Sequence, residues 1–282
     1  MLVSHFFDLV PVWLLLVGTI LIMIIFIESG FRLGKRAQAN ARKAQTSQVR
    51  AIMGAGLGLL AFMLAFTFST AQSHFEMRVQ SLAEEARIAR NAYMQADLLV
   101  EPRRTQSKEL LKEYIHLRST RRKLNGPDIG EQIEGFIQLS EQILQQLWDL
   151  ATHSDLYPTG KQNEAEENDL FMGSVLALTD IHFARVHSAI MNRIPLTIWM
   201  TLYLMAILSM IIMGYQAGLT DKRSPVATIT LAVAFSAVII LITDLDRPIM
   251  SFFEINNQLL VDLNEYIEAD LSLEYYPGDQ DQ

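Results

Sequence analysis

The chain has 282 residues, of which 50% are hydrophobic and 19% are charged, and its mean hydropathy is +0.20. These values occur together only if apolar and charged residues are segregated along the chain. The absence of cysteine excludes disulfides, thiolate metal sites and cysteine nucleophiles. The net charge of −8, without a concentrated basic face, gives no reason to expect nucleic acid as a partner.

Four uncharged segments determine the predicted fold class. They cover residues 9–27, 51–75, 194–214 and 226–243. Each is long enough to cross about 30 Å of hydrocarbon as a helix. The first is interpreted as an anchor rather than a signal peptide, because no Lys or Arg precedes it and no small-x-small cleavage site follows it. We therefore predict an all-α membrane protein with transmembrane hairpins in residues 1–75 and 194–243, and the lipid bilayer as a partner.

Basic residues in the short connections predict the orientation. The connection between the first two spans has six basic residues against the single acid Glu28, and the connection between the last two has Lys222 and Arg223. After the fourth span only Arg247 stands against ten acids. Because cytoplasmic loops are enriched in Lys and Arg, both short connections are predicted inside, with both termini and the intervening domain outside.

Residues 76–193 form the predicted extramembrane domain, in which basic and acidic residues are mixed and apolar residues recur at helical spacing. We predict four helices, over residues 76–100, 103–125, 128–153 and 168–193. No breaker separates the first from the second span, and only Pro195 separates the last from the third span. Two spans are therefore expected to continue into the domain as long helices.

Residues 244–282 are predicted to contain an amphipathic helix and an acidic tail. Between residues 254 and 274, Leu260, Leu263 and Ile267 fall on one apolar face. Such a helix either lies on the membrane or packs on the domain. The sequence leaves both alternatives open.

No motif for catalysis or metal binding is found. The six histidines fit no ligand spacing, and His182 and His187, five residues apart, point to different faces of a helix. We interpret the histidines as surface or interfacial residues. Phosphate loops, dinucleotide fingerprints and nucleophile elbows are also absent from the sequence. We expect no enzymatic activity, no metal and no cofactor.

The second span carries a stripe of small residues at spacings of four, three and four. It consists of Gly54, Gly58, Ala61 and Ala65. Small residues let helix backbones approach closely in lipid. The stripe therefore predicts helix packing, either within one chain or between subunits around an axis.

A neighbouring face of the second span combines two aromatic rings with two hydroxyls. Its residues are Phe62, Phe66, Ser69 and Ser73. A ring of such phenylalanines around a symmetry axis would form a hydrophobic constriction that gates by dewetting, with hydroxyls at its mouth. The alternative is a pair of phenylalanines that face lipid.

Charged residues at the ends of the third and fourth spans form a polar motif of Arg193, Asp244, Asp246, Arg247 and Pro248. Charges at a hydrocarbon boundary are costly unless they are paired or hydrated. Asp244 and Arg247 have the spacing of a helical pair, and Arg193 would approach the aspartates if the two spans form a hairpin. The motif is either an anchor that ends the span or a polar site at a pore entrance.

Three segments give the sequence a family resemblance. They are Glu28-Ser29-Gly30-Phe31-Arg32-Leu33-Gly34, Arg193-Ile194-Pro195 with Trp199, and Asp244-Leu245-Asp246-Arg247-Pro248. With the order of two spans, a helical domain and two spans, the chain resembles the bestrophin-like family of bacterial membrane proteins over nearly its whole length. The resemblance implies a bacterial inner-membrane protein related to pentameric anion channels, whose second span lines a phenylalanine neck, here Phe62 and Phe66. It also implies a cytosolic domain, contrary to the charge rule.

Two functional hypotheses follow. The first is a homo-oligomeric pore that passes small anions, for which the resemblance implies a pentamer. The second is a membrane-anchored sensor or assembly protein whose helical domain binds a partner without ion conduction. An intramembrane enzyme is disfavoured, because no paired carboxylates or histidines lie within a span.

Overall fold

The computed structural model describes residues 10–38, 43–120, 129–152, 162–220, 224–247 and 256–275. These residues form eight α-helices and no strand. The helices are α1 Val12–Ala37, α2 Lys43–Ala96, α3 Arg103–Ser119, α4 Ile129–Thr152, α5 Gln162–Met191, α6 Leu196–Thr220, α7 Pro225–Asp246 and α8 Gln258–Tyr275. The all-α prediction is confirmed.

Four helices, α1, α2, α6 and α7, contain stretches that are long and apolar enough to cross a membrane. Prolines begin the last two. Pro225 occupies the first turn of α7, where its missing amide donor does no harm. The carbonyl of Pro195 accepts the Ile198 amide at 2.9 Å as α6 begins. The four predicted spans are therefore present as helices.

The helix of the first span extends beyond the predicted residues 9–27. It continues through the Glu28–Gly34 segment and ends at Ala37. Arg32 Nε donates to Glu28 Oε1 at 3.2 Å, one turn earlier on the helix. Lys35 and Arg36 lie in the last turn, where the helix dipole favours positive charge.

The chain forms two compact units. The membrane unit contains α1, α2 up to Phe75, α6 and α7. Its core includes Met23, Leu60, Leu202 and Ile239. The helical domain contains α2 from Glu76 onwards, α3, α4, α5 and α8. Its core includes Tyr93, Leu111, Leu147, Phe171 and Ile267.

Helices α1 and α6 of the membrane unit cross so closely that glycine is required on both. A Cβ atom on Gly30 or Gly34 would overlap the carbonyl oxygens of Ile211 or Tyr215. A Cβ atom on Gly214 or Gly218 would overlap carbonyl oxygens of α1 in the same way. Each helix therefore contributes one pair of glycines four residues apart to a single contact.

The expectation of two long helices is confirmed for one of them. α2 runs without interruption for 54 residues, whereas α5 and α6 are separate helices. Pro195 supplies no amide donor, and the Ile194 amide binds a side chain of α7 instead of a helix carbonyl. The helical path therefore breaks at residues 192–195.

Two helix boundaries in the domain also differ from the prediction. α5 begins at Gln162 rather than at residue 168, so Glu164, Glu166 and Glu167 lie in its first turns, where the helix dipole favours acids. α3 ends at Ser119 because Thr120 is extended. The turn predicted at residues 126–128 lies outside the described residues.

The C-terminal helix α8 packs on the helical domain, which decides between the two alternatives left by the sequence. Leu263 and Ile267 belong to the domain core. Asp270 Oδ2 accepts hydrogen bonds from Lys108 Nζ at 3.0 Å and from Tyr93 Oη at 2.9 Å. The bond from the buried Lys108 ammonium holds the pKa of Asp270 below its usual range. An apolar face and a buried cation thus fix α8 to the domain.

Candidate functional site

One side of α2 in the membrane unit packs against the chain, and the opposite side is open. Leu60, Leu64, Thr67 and Ala71 form the buried stripe. Phe62, Phe66, Ser69 and Ser73 are all exposed, with Phe62 at 66% and Phe66 at 59%. At about 100° per residue, these four lie on the far side of the helix from the buried stripe. The structure therefore brings the four predicted constriction residues together on one outward face.

The small-residue stripe of α2 is also exposed. Gly54, Gly58, Ala61 and Ala65 all face outward. No described atom would lie within 4 Å of a Cβ atom on Gly54 or Gly58. Among the described residues, the stripe therefore does not pack against another helix of the same chain, which was one of the two alternatives from the sequence. Packing between subunits stays a prediction.

The polar motif joins the ends of the spans. Ile194 N donates to Asp246 Oδ1 at 3.0 Å, and His74 Nδ1 of α2 lies 3.9 Å from the same oxygen. Arg247 Nη2 donates to the Val10 carbonyl at 3.0 Å, just before α1. Residues at the ends of all four spans therefore meet at the end of α7.

This arrangement favours the anchor interpretation of the motif. Asp244, Asp246 and Arg247 are buried, and the Arg247 amide donates to the Asp244 carbonyl at 3.2 Å to end α7. Arg193, which was expected near the aspartates, is half-buried beside Ile194. Pro248 lies outside the described residues.

The helical domain buries a cluster of charged and polar groups that the sequence reasoning missed. Glu85 is fully buried and forms an ion pair with Arg185. Arg118 donates to both Glu85 oxygens, from Nε at 2.9 Å and from Nη2 at 3.2 Å. Tyr114 Oη donates to Glu85 Oε1 at 2.6 Å, and His182 Nδ1 lies 3.4 Å from the same hydroxyl.

Burial determines the protonation states in this Glu85 cluster. It raises the pKa of Tyr114 to about 12, against the opposing effect of Arg118, so the phenol keeps its proton and donates it. Burial, together with the charge of Arg118, lowers the pKa of His182 to about 4. Burial lowers the pKa of Arg185 to about 10, at which the guanidinium remains charged at neutral pH. The cluster therefore carries one negative and two positive charges beside a neutral imidazole.

His182 corrects the interpretation of the histidines as surface or interfacial residues. His182 is completely buried, whereas His187 on the same helix is exposed. A local signal for the cluster existed: Glu85 interrupts a buried stripe of Leu82, Ala86 and Ala89 at helical spacing. An acid on an apolar stripe indicates a buried partner.

Comparison with known proteins adds one positive finding. No curated protein matches the chain. The family described as Bestrophin-like domain matches residues 21–258, which include part of the first span, the other three spans and most of the helical domain. Together with the four apolar helices, this match identifies a membrane protein. The chain belongs to the bestrophin-like family.

Proposed function

We propose that the protein is a homo-oligomeric pore that conducts small anions, with α2 lining the path. The observation that carries the proposal is the exposed face of α2, where Phe62 and Phe66 are more than half exposed opposite the packed side. Copies arranged around an axis on that face would form two rings of phenylalanine, one turn apart. Apolar rings of this kind restrict permeation by expelling water.

The chemistry of the same face supports anions as the permeating species. Aromatic rings carry positive charge at their edges, so rings that point edge-on into a narrow pore favour anions over cations. Ser69 and Ser73 lie one and two turns further along the helix and supply hydroxyl donors. The face therefore combines a dry constriction with donors suited to a partly dehydrated anion.

The small-residue stripe supports assembly of several copies. Gly54 and Gly58 are exposed on a flank of the proposed pore-lining face, and no described atom lies within 4 Å of a Cβ atom placed on either. A second chain is able to approach their backbone closely in lipid. The family resemblance implies five copies.

Planar-bilayer recording with the purified protein tests the proposal. We expect anion-selective conductance, and we expect Phe62→Ala together with Phe66→Ala to raise the unitary conductance by about twofold or more, because the widened constriction stays hydrated. Leu204→Ala is the matched control, since it removes a similarly exposed apolar side chain from α6. That variant should conduct like the unchanged protein.

Silence of both the unchanged protein and the double variant would contradict the proposal. A mass in detergent of only one or two copies would then favour the competing function, a membrane-anchored sensor or assembly protein. Equal increases in the Phe62/Phe66 and Leu204 variants would place the two phenylalanines in lipid.

A further inference from the structure

Helices α4 and α5 of the helical domain leave an open groove of about 400 Å³ between them. This α4–α5 groove is lined by Glu141, Leu144, Gln145, Trp148, Leu176, Thr179 and Phe183. Leu176 is 49% exposed and Phe183 is 52% exposed. Large apolar side chains exposed side by side in a groove are typical of a surface that binds a partner.

The two helices that form the groove are strongly acidic. α4 carries four acidic residues and neither Lys nor Arg, and α5 carries five acidic residues and a single arginine, Arg185. That arginine is engaged by the buried Glu85. Glu141 itself lines the groove. The partner that fits the α4–α5 groove is therefore both apolar and basic.

The chain itself presents a surface with these properties. Arg87, Arg90 and Met94 follow one another along α2 at spacings of three and four and thus share one face. Leu98 lies in the turn that follows the end of α2. All four are exposed, with Met94 at 52%. These four residues, called the α2 ridge, place two methyl-bearing side chains beside two guanidinium groups, of which that of Arg87 also pairs with Glu84 on the same helix.

We propose that the α4–α5 groove of one copy binds the α2 ridge of a second copy. The apolar side chains of Met94 and Leu98 would cover Leu176 and Phe183. The ridge arginines would face the acidic side chains of α4 and α5, including Glu141 in the groove lining. Because groove and ridge are different surfaces, the contact is heterologous, and in a closed oligomer it would repeat around a ring. The inference rests on the proposed function in that it requires the homo-oligomer.

Disulfide cross-linking tests the contact cleanly, because the chain contains no cysteine. One tagged chain carries Met94→Cys or Leu98→Cys, and a differently tagged, co-expressed chain carries Leu176→Cys or Phe183→Cys. After mild oxidation in the membrane we expect a covalent dimer containing both tags, formed from at least one ridge–groove pair. Each single-cysteine chain expressed alone should give no comparable dimer.

Tyr266→Cys supplies the matched control, because Tyr266 is exposed to the same degree on α8 and lies in neither surface. Paired with Phe183→Cys, it should give only background. Cross-linking as strong as that of the ridge–groove pairs would overturn the proposal. A dimer of Phe183→Cys with itself would overturn it as well, since groove would then meet groove.

Native mass spectrometry separates this inference from the proposed function. An oligomer without the ridge–groove bond overturns the assigned contact and leaves the pore intact, and a cationic molecule that co-purifies on the groove overturns it in favour of another ligand. A monomer overturns both. As a second readout, Glu141→Lys should weaken the oligomer, and Arg90→Glu in the same chain should restore much of the loss.

Discussion

Among single residues, Glu85 has the most demanding environment. Removing a carboxylate from water costs several kcal/mol, and the cost is offset only when its oxygens are paired and hydrogen-bonded. Arg118 and Tyr114 donate to these oxygens, and Arg185 adds a second positive charge. Burial of the His182 ring, together with the positive charge of Arg118, explains why a proton on this imidazole is unfavourable. The stability of the helical domain should therefore depend on the protonation of one histidine.

His182→Gln should reduce the acid sensitivity of the domain. The pKa of His182 is about 4 in the folded chain and about 6.5 in an unfolded one. Between these values the unfolded chain binds a proton that the folded chain does not, so the free energy of unfolding falls as the pH falls from about 6.5 to about 4. Thermal unfolding in detergent across this range should lose less stability in the variant, by roughly 2–3 kcal/mol.

The test compares how the free energy of unfolding changes with pH, not its value at one pH. Replacing a buried ring also removes packing contacts and lowers stability at every pH. His187→Gln changes an exposed histidine of the same helix and serves as the control. Parallel unfolding curves for His182→Gln and the unchanged protein between pH 6.5 and 4 would show that His182 is not the titrating group.

Among the elements, the crossing of α1 and α6 depends on four glycines. Gly30→Ala or Gly214→Ala would place a methyl group against a backbone carbonyl, which no side-chain rotation relieves. We expect each to destabilise the membrane unit by about 1–3 kcal/mol through overpacking. The drop should appear as a lower thermal midpoint in detergent.

Gly18→Ala, on the same helix α1, distinguishes overpacking from a general effect of glycine replacement. No described atom lies within 4 Å of a Cβ atom at Gly18, and alanine has the higher helix propensity. Its thermal midpoint should be unchanged or slightly raised. Equal losses at positions 18 and 30 would argue against the close crossing.

The helices themselves were predictable, because length and apolar composition are local properties of a segment. The continuous α2 followed from the missing breaker after residue 75. Their mutual packing was not predictable in the same way. The exposed stripe at Gly54 and Gly58 and the packed pair at Gly30 and Gly34 share the same four-residue spacing, so the spacing alone does not tell which pair meets a neighbour.

The same limit applies to the candidate site. Phe62 and Phe66 were predicted to share a face because their spacing is local, and the structure places both on an exposed face. The partners of Glu85 lie 29 residues away at Tyr114 and 33 residues away at Arg118. Only the folded bundle brings these residues together, although the acid on an apolar stripe is visible in the sequence.

For the whole molecule, the distribution of charge determines the predicted orientation. The segment between the first two predicted spans, residues 28–50, is basic, whereas the residues after the fourth span and the helices α4 and α5 are acidic. Lys and Arg in short loops are retained on the cytoplasmic side. If all four spans cross the membrane, the N-terminus, the helical domain and the C-terminus should lie on one side, so a single measurement tests the predicted position of all three.

A reporter fused after Gln282 makes that measurement. We propose that the C-terminus lies outside the cytoplasm, so fused alkaline phosphatase should be active and fused green fluorescent protein dark. Fusions after Arg42, in the basic connection, should give the reverse pattern and confirm that both reporters work. A fluorescent C-terminal fusion would place the helical domain in the cytosol, as the family resemblance implies, and would mean that basic residues at the other membrane face, such as Arg193, outweigh the short connections.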